Sequence, residues 1–364
     1  MKQRLRILLD CRMATWTGVG RYATGLARSL ASRGDVHIIQ VVAARDVPPV
    51  SSQVRTDVVR AAAHPFGPAG ALELGRIVRD VAPDITHCLH FPTPYPVSHP
   101  LMVTLHDLTP LIMPSVMPSA GKRLAYRLWN DRATRVADRI LVNSSHTADD
   151  VERLYPRARS KLVMVPHAVD DFTKGPVGCV PAEFDLTDGE SYLLSMGNTK
   201  PNKDLPTLLR AFAKVASEHI GLKLLLVGRE VPGYVASVIA DSRLAARVRF
   251  TGRVDDAALR ALYAEASAFV FPSTYEGFGL PPLEAMTFGT PVVTSDSSSL
   301  PEVTGGAALL FPAGDSGALA HAIARVLDDG VLRARLSEAG PQRAAEFSWE
   351  RTAELTLAVY REMV

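Results

Sequence analysis

Glu276 and Glu284 stand with seven residues between them, either side of a Gly277-Phe278-Gly279 turn, in Ser273-Thr-Tyr-Glu-Gly-Phe-Gly-Leu-Pro-Pro-Leu-Glu-Ala-Met286. The apolar run Ala268-Phe-Val-Phe271 before them reads as a buried parallel strand, and Pro281 suits the first turn of the helix that follows. A helix start leaves N–H groups unpaired, and with the positive end of its dipole it favours a phosphate. Glu276 on the loop accepts hydrogen bonds from hydroxyls near that phosphate, and Glu284 projects from about the first turn. One turn can therefore hold a phosphate, a sugar and a ribose. The bland alternative is that Glu276 caps a turn, Glu284 is a solvated helix residue, and the glycines only admit positive φ.

Three further segments carry chemistry of the same kind. In Gly197-Asn198-Thr-Lys200-Pro-Asn-Lys203 a strand-to-helix turn supplies two ammonium groups suited to a diphosphate, unless both are merely solvated. The run Leu101-Met-Val-Thr-Leu105 ends in His106-Asp107, and a neutral histidine at a strand's carboxyl end can hydrogen-bond a sugar hydroxyl. Fixation by Asp107 or by backbone is the plainer reading. Gly18-Val-Gly20, after the first strand, invites comparison with a dinucleotide fingerprint, but Gly18 lies eight residues beyond Asp10 and no clear acidic residue ends the second strand. The comparison fails. His87, His90, His146 and His167 read as structural, although the first two also end a strand.

These residues need a scaffold that gathers strand ends, and the pattern supplies one. Strands are predicted near 5–10, 36–44, 84–89, 101–105, 139–143 and 161–165, with helices notably at 19–33 and 119–137. A second set falls near 191–196, 222–227, 247–251, 268–271, 291–294 and 307–310, with helices near 203–218, 255–266, 281–288 and 315–328. Strands alternating with amphipathic helices predict an α/β protein of two doubly wound, Rossmann-like domains, each binding ligands beyond its strands' carboxyl ends across a shared cleft. The first domain is placed at 1–172, a Gly- and Pro-bearing linker at 173–185, the second domain at 186–346, and a terminal helix at 347–364. Ser348 is its expected cap, with Trp349, Ala353, Leu357 and Tyr360 recurring on one side. The stretches 44–70 and 108–120 read as loops rich in Pro and apolar residues.

Composition excludes several classes. The 364 residues are 47% hydrophobic and 21% charged, with a net charge of +2, which is ordinary for a globular protein and too weak for a nucleic-acid partner. Three isolated cysteines, Cys11, Cys88 and Cys179, have no zinc spacing and favour a reducing, cytoplasmic setting. No run reaches the roughly 20 apolar residues of a membrane span. The helix region 119–139 carries Lys122, Arg123, Arg127, Arg132, Arg135 and Arg139 against Asp131 and Asp138. It reads either as a contact with anionic lipid or, the favoured reading, as a solvated face with Leu124, Leu128 and Trp129 turned to the core.

The Glu276–Glu284 segment, with Gly-Phe-Gly-Leu-Pro between, resembles the signature of the retaining GT-B glycosyltransferases of family four, and the resemblance extends over nearly the whole chain. It implies a metal-independent enzyme, without cofactor, that moves a hexose from a GDP-, UDP- or dTDP-linked sugar to a saccharide or lipid-linked acceptor. In that family the last helix crosses back to the first domain. The resemblance assigns His106 and Glu276 to catalysis, beside the donor sugar. To the donor it assigns Gly18, Gly20, Asn198, Lys200, Lys203, Gly228, Val254, Gly277, Phe278, Gly279, Leu280 and Glu284, with Lys203 on the diphosphate and Glu284 on the ribose. Asn198 stands where the family commonly has arginine, which leaves Lys200 to substitute. The Gly-Asn-Thr-Lys-Pro wording is similar to mannosyltransferase-like members. A GT-B epimerase or phosphorylase, or an inactive nucleotide-sugar binder, is the alternative.

Overall fold

In the computed structural model, residues 4–50, 56–98, 100–181, 184 and 190–364 are described. Their strands form two wholly parallel sheets. The first contains β1 (Leu5–Asp10), β2 (Val36–Ala43), β3 (Thr56–Ala61), β4 (Ile85–Cys88), β5 (Leu101–Leu105), β6 (Arg139–Val142) and β7 (Leu162–Met164), in the order β3-β2-β1-β4-β5-β6-β7. The second contains β8 (Ser191–Met196), β9 (Leu222–Val227), β10 (Val248–Phe250), β11 (Ala268–Phe271), β12 (Val292–Ser295) and β13 (Ala308–Phe311), in the order β10-β9-β8-β11-β12-β13. Strand order reverses between β1 and β4 (Ile7 beside Ile85) and between β8 and β11 (Leu193 beside Ala268), and beyond the carboxyl ends at such reversals doubly wound sheets bind ligands.

The chain divides into two units, Met1–Ala168 with Phe347–Val364, and Val169–Glu346. The stretch read as a linker is tied to the second unit in its early part. The Arg260 guanidinium donates to the carbonyls of Phe172 (3.0 Å) and Pro176 (2.7 Å), and Gly178 N donates to Ala257 O. Residues 182, 183 and 185 of that stretch, and 186–189 after it, lie outside the described ones.

The terminal helix Trp349–Met363 is capped by Ser348, whose hydroxyl accepts from Arg351 N, and its Trp349, Ala353, Leu357 and Tyr360 are buried in the core of the first unit. It lies against the helix Thr17–Ala31 at Gly25, where a Cβ would stand 2.1 Å from the Trp349 ring. Only glycine permits so close an approach.

Two loop expectations are corrected. Within 44–70 the chain forms the edge strand β3, and the helix Pro68–Val81 begins before that stretch ends, while 51–55 lie outside the described residues. The short, half-exposed run Thr-Asp-Val-Val-Arg-Ala is too polar to stand out by pattern, and pairing along β2 makes it a strand. Within 108–120 a short helix, Thr109–Ile112, and a 3₁₀ turn, Pro114–Val116, replace loop.

Candidate functional site

The Glu276 loop leaves the carboxyl end of β11, and the Lys203 turn leaves the carboxyl end of the neighbouring β8. Parallel pairing of these strands puts the two turns side by side. Lys203 Nζ lies 2.5 Å from Glu276 Oε1 and 5.0 Å from the centre of the Phe271 ring, with the two side chains only 19% and 15% exposed. The same carboxylate oxygen accepts from Ser273 Oγ at 2.5 Å. One oxygen of Glu276 is thus fixed by two donors, and the orientation of the other follows.

The loop itself is cast in a mould of serines. Glu276 N donates to Ser298 Oγ (2.9 Å), Ser299 Oγ bonds the carbonyls of Glu276 and Phe278 (3.0 and 2.7 Å), Ser297 Oγ donates to Thr274 O (2.6 Å), and Ser295 Oγ donates to Ser273 O. Ser298 takes φ +54°, an uncommon conformation outside glycine, which presents its hydroxyl to the loop. From the other side Asn202 Nδ2 donates to Tyr275 O, and Asn202 O accepts from Thr274 N. Nothing in the spacing of Ser295-Asp-Ser-Ser-Ser299 announces this role, and the density of hydroxyls directly after β12 is the available signal.

The helix after the loop is Leu280–Thr287, opened by Gly279 at φ +113°, where a Cβ would press within 2.8 Å of Leu300. Gly277, Phe278 and Gly279 are buried, and Leu280 is half-buried. Pro281 and Pro282 have no N–H, so an anion at this helix start would rely on donors ahead of them, such as Gly279 and Leu280. Glu284 is the fifth helical residue, 2% exposed, and its Oε2 accepts from Tyr263 OH at 2.9 Å. That commits one of its oxygens to a phenol buried in the same unit.

Asn198 and Lys200 are exposed, and Asn198 Oδ1 accepts from Lys200 N in a tight turn. Gly197 before them is buried; a Cβ there would meet Leu226 and Phe250 at 3.1 Å. Gly228, at φ +144°, bridges to Gly252 after the carboxyl ends of β9 and β10, with half-buried Val254 just beyond. These residues ring the same strand-end edge as Lys203 and Glu276.

In the first unit, His106 follows β5 and is 8% exposed. Its Nε2 lies 2.8 Å from Leu89 O, which can only accept, so Nε2 bears the proton and Nδ1 is left to accept from His167 Nε2 at 3.2 Å. Burial holds its pKa below the ordinary histidine value, partly offset by the Leu89 carbonyl and Asp107. Around it, Tyr22 stacks on His167 at 4.6 Å and shares Thr104 Oγ1 with His87, whose other nitrogen meets Tyr360 OH at 2.6 Å. His87 and His167 are built into this network.

The helix predicted from 19 starts earlier, at Thr17, so Gly18 joins Gly20 in the first turn of the helix Thr17–Ala31, and Gly20 N is already given to Trp16 O at 2.6 Å. A Cβ at Gly20 would stand 2.3 Å from Ala14 O, so this glycine serves the entry of the helix. The basic helix is also corrected in part. Leu124 and Leu128 are each 58% exposed rather than turned to the core, while Trp129 is half-buried. Core contact comes from Asn130, Ala133 and Thr134 on the opposite face. Among the described residues no helix is long and apolar enough to cross a membrane.

Both the sequence and the fold have counterparts among known proteins. A family model described as "Glycosyl transferases group 1" matches residues 181–343, and one described as "Glycosyltransferase Family 4" matches 16–171. The chain is 31% identical over 305 residues to O-antigen chain mannosyltransferase B of Escherichia coli, covering 82% of this chain and 78% of that protein. In fold it is similar to sucrose-phosphate synthase from Thermosynechococcus elongatus, with a TM-score of 0.79 at 22% identity and 99% of each chain covered. It is similar also to Anabaena HepE, solved in complex with UDP and glucose, with a TM-score of 0.74 at 18% identity, covering 99% of this chain and 100% of that one.

Proposed function

The chain belongs to the group 1 glycosyltransferases, with the GT-B fold of two Rossmann-like parallel-sheet units, and from this premise we propose that it is a retaining, metal-independent hexosyltransferase. The donor is a nucleoside diphosphate sugar, mannose-like in keeping with the mannosyltransferase it resembles, and the acceptor is a hydroxyl of a saccharide or glycolipid. The observation that carries this reading is the Lys203–Glu276 pair held by Ser273 at the carboxyl ends of β8 and β11. A cation and a hydrogen-bond acceptor side by side suit the junction of a diphosphate and its sugar.

In the proposed reaction the diphosphate leaves with charge developing on its oxygens. Lys203, with Lys200 and the N–H groups at Gly279 and Leu280, neutralises that charge in place of a metal ion. Glu276 holds the sugar through its second oxygen, and in the first unit His106, neutral and buried, would bond a sugar hydroxyl only by giving up its bond to the Leu89 carbonyl or to His167. The acceptor hydroxyl attacks from the leaving-group face, gives its proton to the departing phosphate, and keeps the anomeric configuration. Work at a cytoplasmic membrane surface, with the helix region 119–139 in contact with lipid, belongs to the same reading and is supported by the exposed Leu124 and Leu128.

The test is a thermal-shift and turnover screen of the purified chain against GDP-, UDP- and dTDP-sugars without added metal, beside Glu276→Ala. Stabilisation by one nucleotide sugar, with turnover lost in the variant and an anomerically retained product by NMR, is expected. Indifference to every nucleotide sugar would sink the reading.

A further inference from the structure

The stretches around 44–70 carry no acceptor code as sequence, yet the fold assembles an aromatic wall at the carboxyl edge of the first sheet. Trp16, after β1, lies 5.4 Å from Phe66, after β3, and Phe66 lies 5.2 Å from Phe91, after β4. Phe91 in turn meets the edge of Tyr126 at 4.9 Å. The series is graded from inside to outside: Phe91 is 4% exposed, Phe66 half-buried, and Trp16 43% exposed.

Trp16 is an odd choice for its position. It is the residue before the helix Thr17–Ala31 and makes no side-chain cap bond, where Ser, Thr, Asp or Asn would stabilise the helix by about 1 kcal/mol. Its surroundings are rigid. Thr15 beside it donates to Asp46 after β2, and the backbone N–H groups of Ala62 and Ala63 both bond the Glu73 carboxylate at 2.8 Å. Arg12, held by Asp10 at 2.7 Å through two nitrogens, donates to Gly70 O, and a Cβ on Gly70 would stand 2.1 Å from His64 O. The loop that carries Phe66 is therefore clamped from both sides.

A half-exposed indole on a fixed aromatic base, rimmed by Asp46 and exposed His64, matches a pyranose. Its C–H face is weakly positive and meets the negative face of the ring, while its hydroxyls stay with polar neighbours. We propose that Trp16, backed by Phe66 and Phe91, is the acceptor subsite, seating the apolar face of a pyranose. This rests on the reading of the chain as a sugar transferase and names the class of group its first unit receives.

The experiment titrates the full chain with methyl α-mannopyranoside and methyl α-glucopyranoside. Intrinsic tryptophan emission is followed in the parent and in Trp129→Phe, and affinity is measured by ligand-observed NMR in Trp16→Ala and Trp16→Phe. Expected are a saturable emission change that survives Trp129→Phe, an affinity loss of roughly tenfold in Trp16→Ala, the size of one aromatic contact, and near-parent affinity in Trp16→Phe. No saturable change with either glycoside, or equal affinity in Trp16→Ala, would overturn the assignment. A lowered melting temperature in Trp16→Ala with unchanged glycoside affinity would overturn it too, leaving Trp16 as a cover for Phe66. Donor hydrolysis by the parent chain is measured separately, so that failure of the transferase reading is seen apart from failure of the subsite.

Discussion

Lys203 and Glu276 are 73 residues apart in the chain and 2.5 Å apart in space. Their meeting is a consequence of β8 and β11 being neighbours at the point where strand order reverses, so that two turns distant in the chain share an edge. Ser273 on the same carboxylate oxygen removes the freedom that a half-buried glutamate would otherwise keep.

Removing either partner is expected to act on different quantities. Lys203→Ala should weaken nucleotide-sugar binding by about tenfold or more, as loss of a charge-assisted hydrogen bond does, while Glu276→Gln should lower turnover by about a hundredfold. Calorimetric donor titration and initial rates separate the two; a Lys203→Ala protein that binds donor as tightly as the parent would remove the lysine from the site.

Gly25→Ala is expected to be among the most destabilising small changes in the chain, because its methyl would collide with the Trp349 ring in the core. Trp349→Ala should cost about 3–5 kcal/mol through the cavity it leaves. Urea denaturation reads both. Pairing Gly25→Ala with Trp349→Leu should recover part of the loss, and failure of any recovery would argue that helix strain, not collision, is the cause.

Stability should fall on mild acidification. Burial pushes the His87 pKa down to about 3 and lowers those of His90, His106 and His167. Below about pH 6.5 the unfolded chain takes up protons on these rings and the folded chain does not, so their contribution is whole above that pH and shrinks as pH falls. Each ring that stays neutral contributes a slope of about 1.4 kcal/mol per pH unit. Urea midpoints should hold level from pH 8 to 7 and drop between 6 and 5, with a shallower drop in His87→Gln; a level midpoint throughout would contradict the burial argument.

The outward face of the basic helix offers a test of membrane contact. Leu124 and Leu128 lie one turn apart, exposed Arg127 is one turn on from Leu124, and exposed Lys122 stands in the first turn of the same helix. Co-sedimentation with vesicles containing anionic phospholipid should fall with salt, by about 1 kcal/mol for each of Lys122→Ala and Arg127→Ala, and should be lost in Leu124→Glu with Leu128→Glu. Equal sedimentation with neutral vesicles, or no response to the leucine changes, would make the face a solvated one.

Period and punctuation in the sequence determined the alternation of strands and helices, the two-sheet architecture, the cap and buried stripe of the last helix, and the turns that carry Lys203, His106 and Glu276. Those features are local, since each depends on side-chain periodicity or on one turn's backbone. Tertiary structure alone decided what the turns do to one another. It made β3 from a run too polar to announce itself and drew Gly18 into a helix. It turned Leu124 and Leu128 outward, gave one Glu284 oxygen to Tyr263, and wrapped the Glu276 loop in the serines after β12. Each of these depends on which strands pair and which faces are covered, and that is settled by the summed burial of residues far apart in the chain.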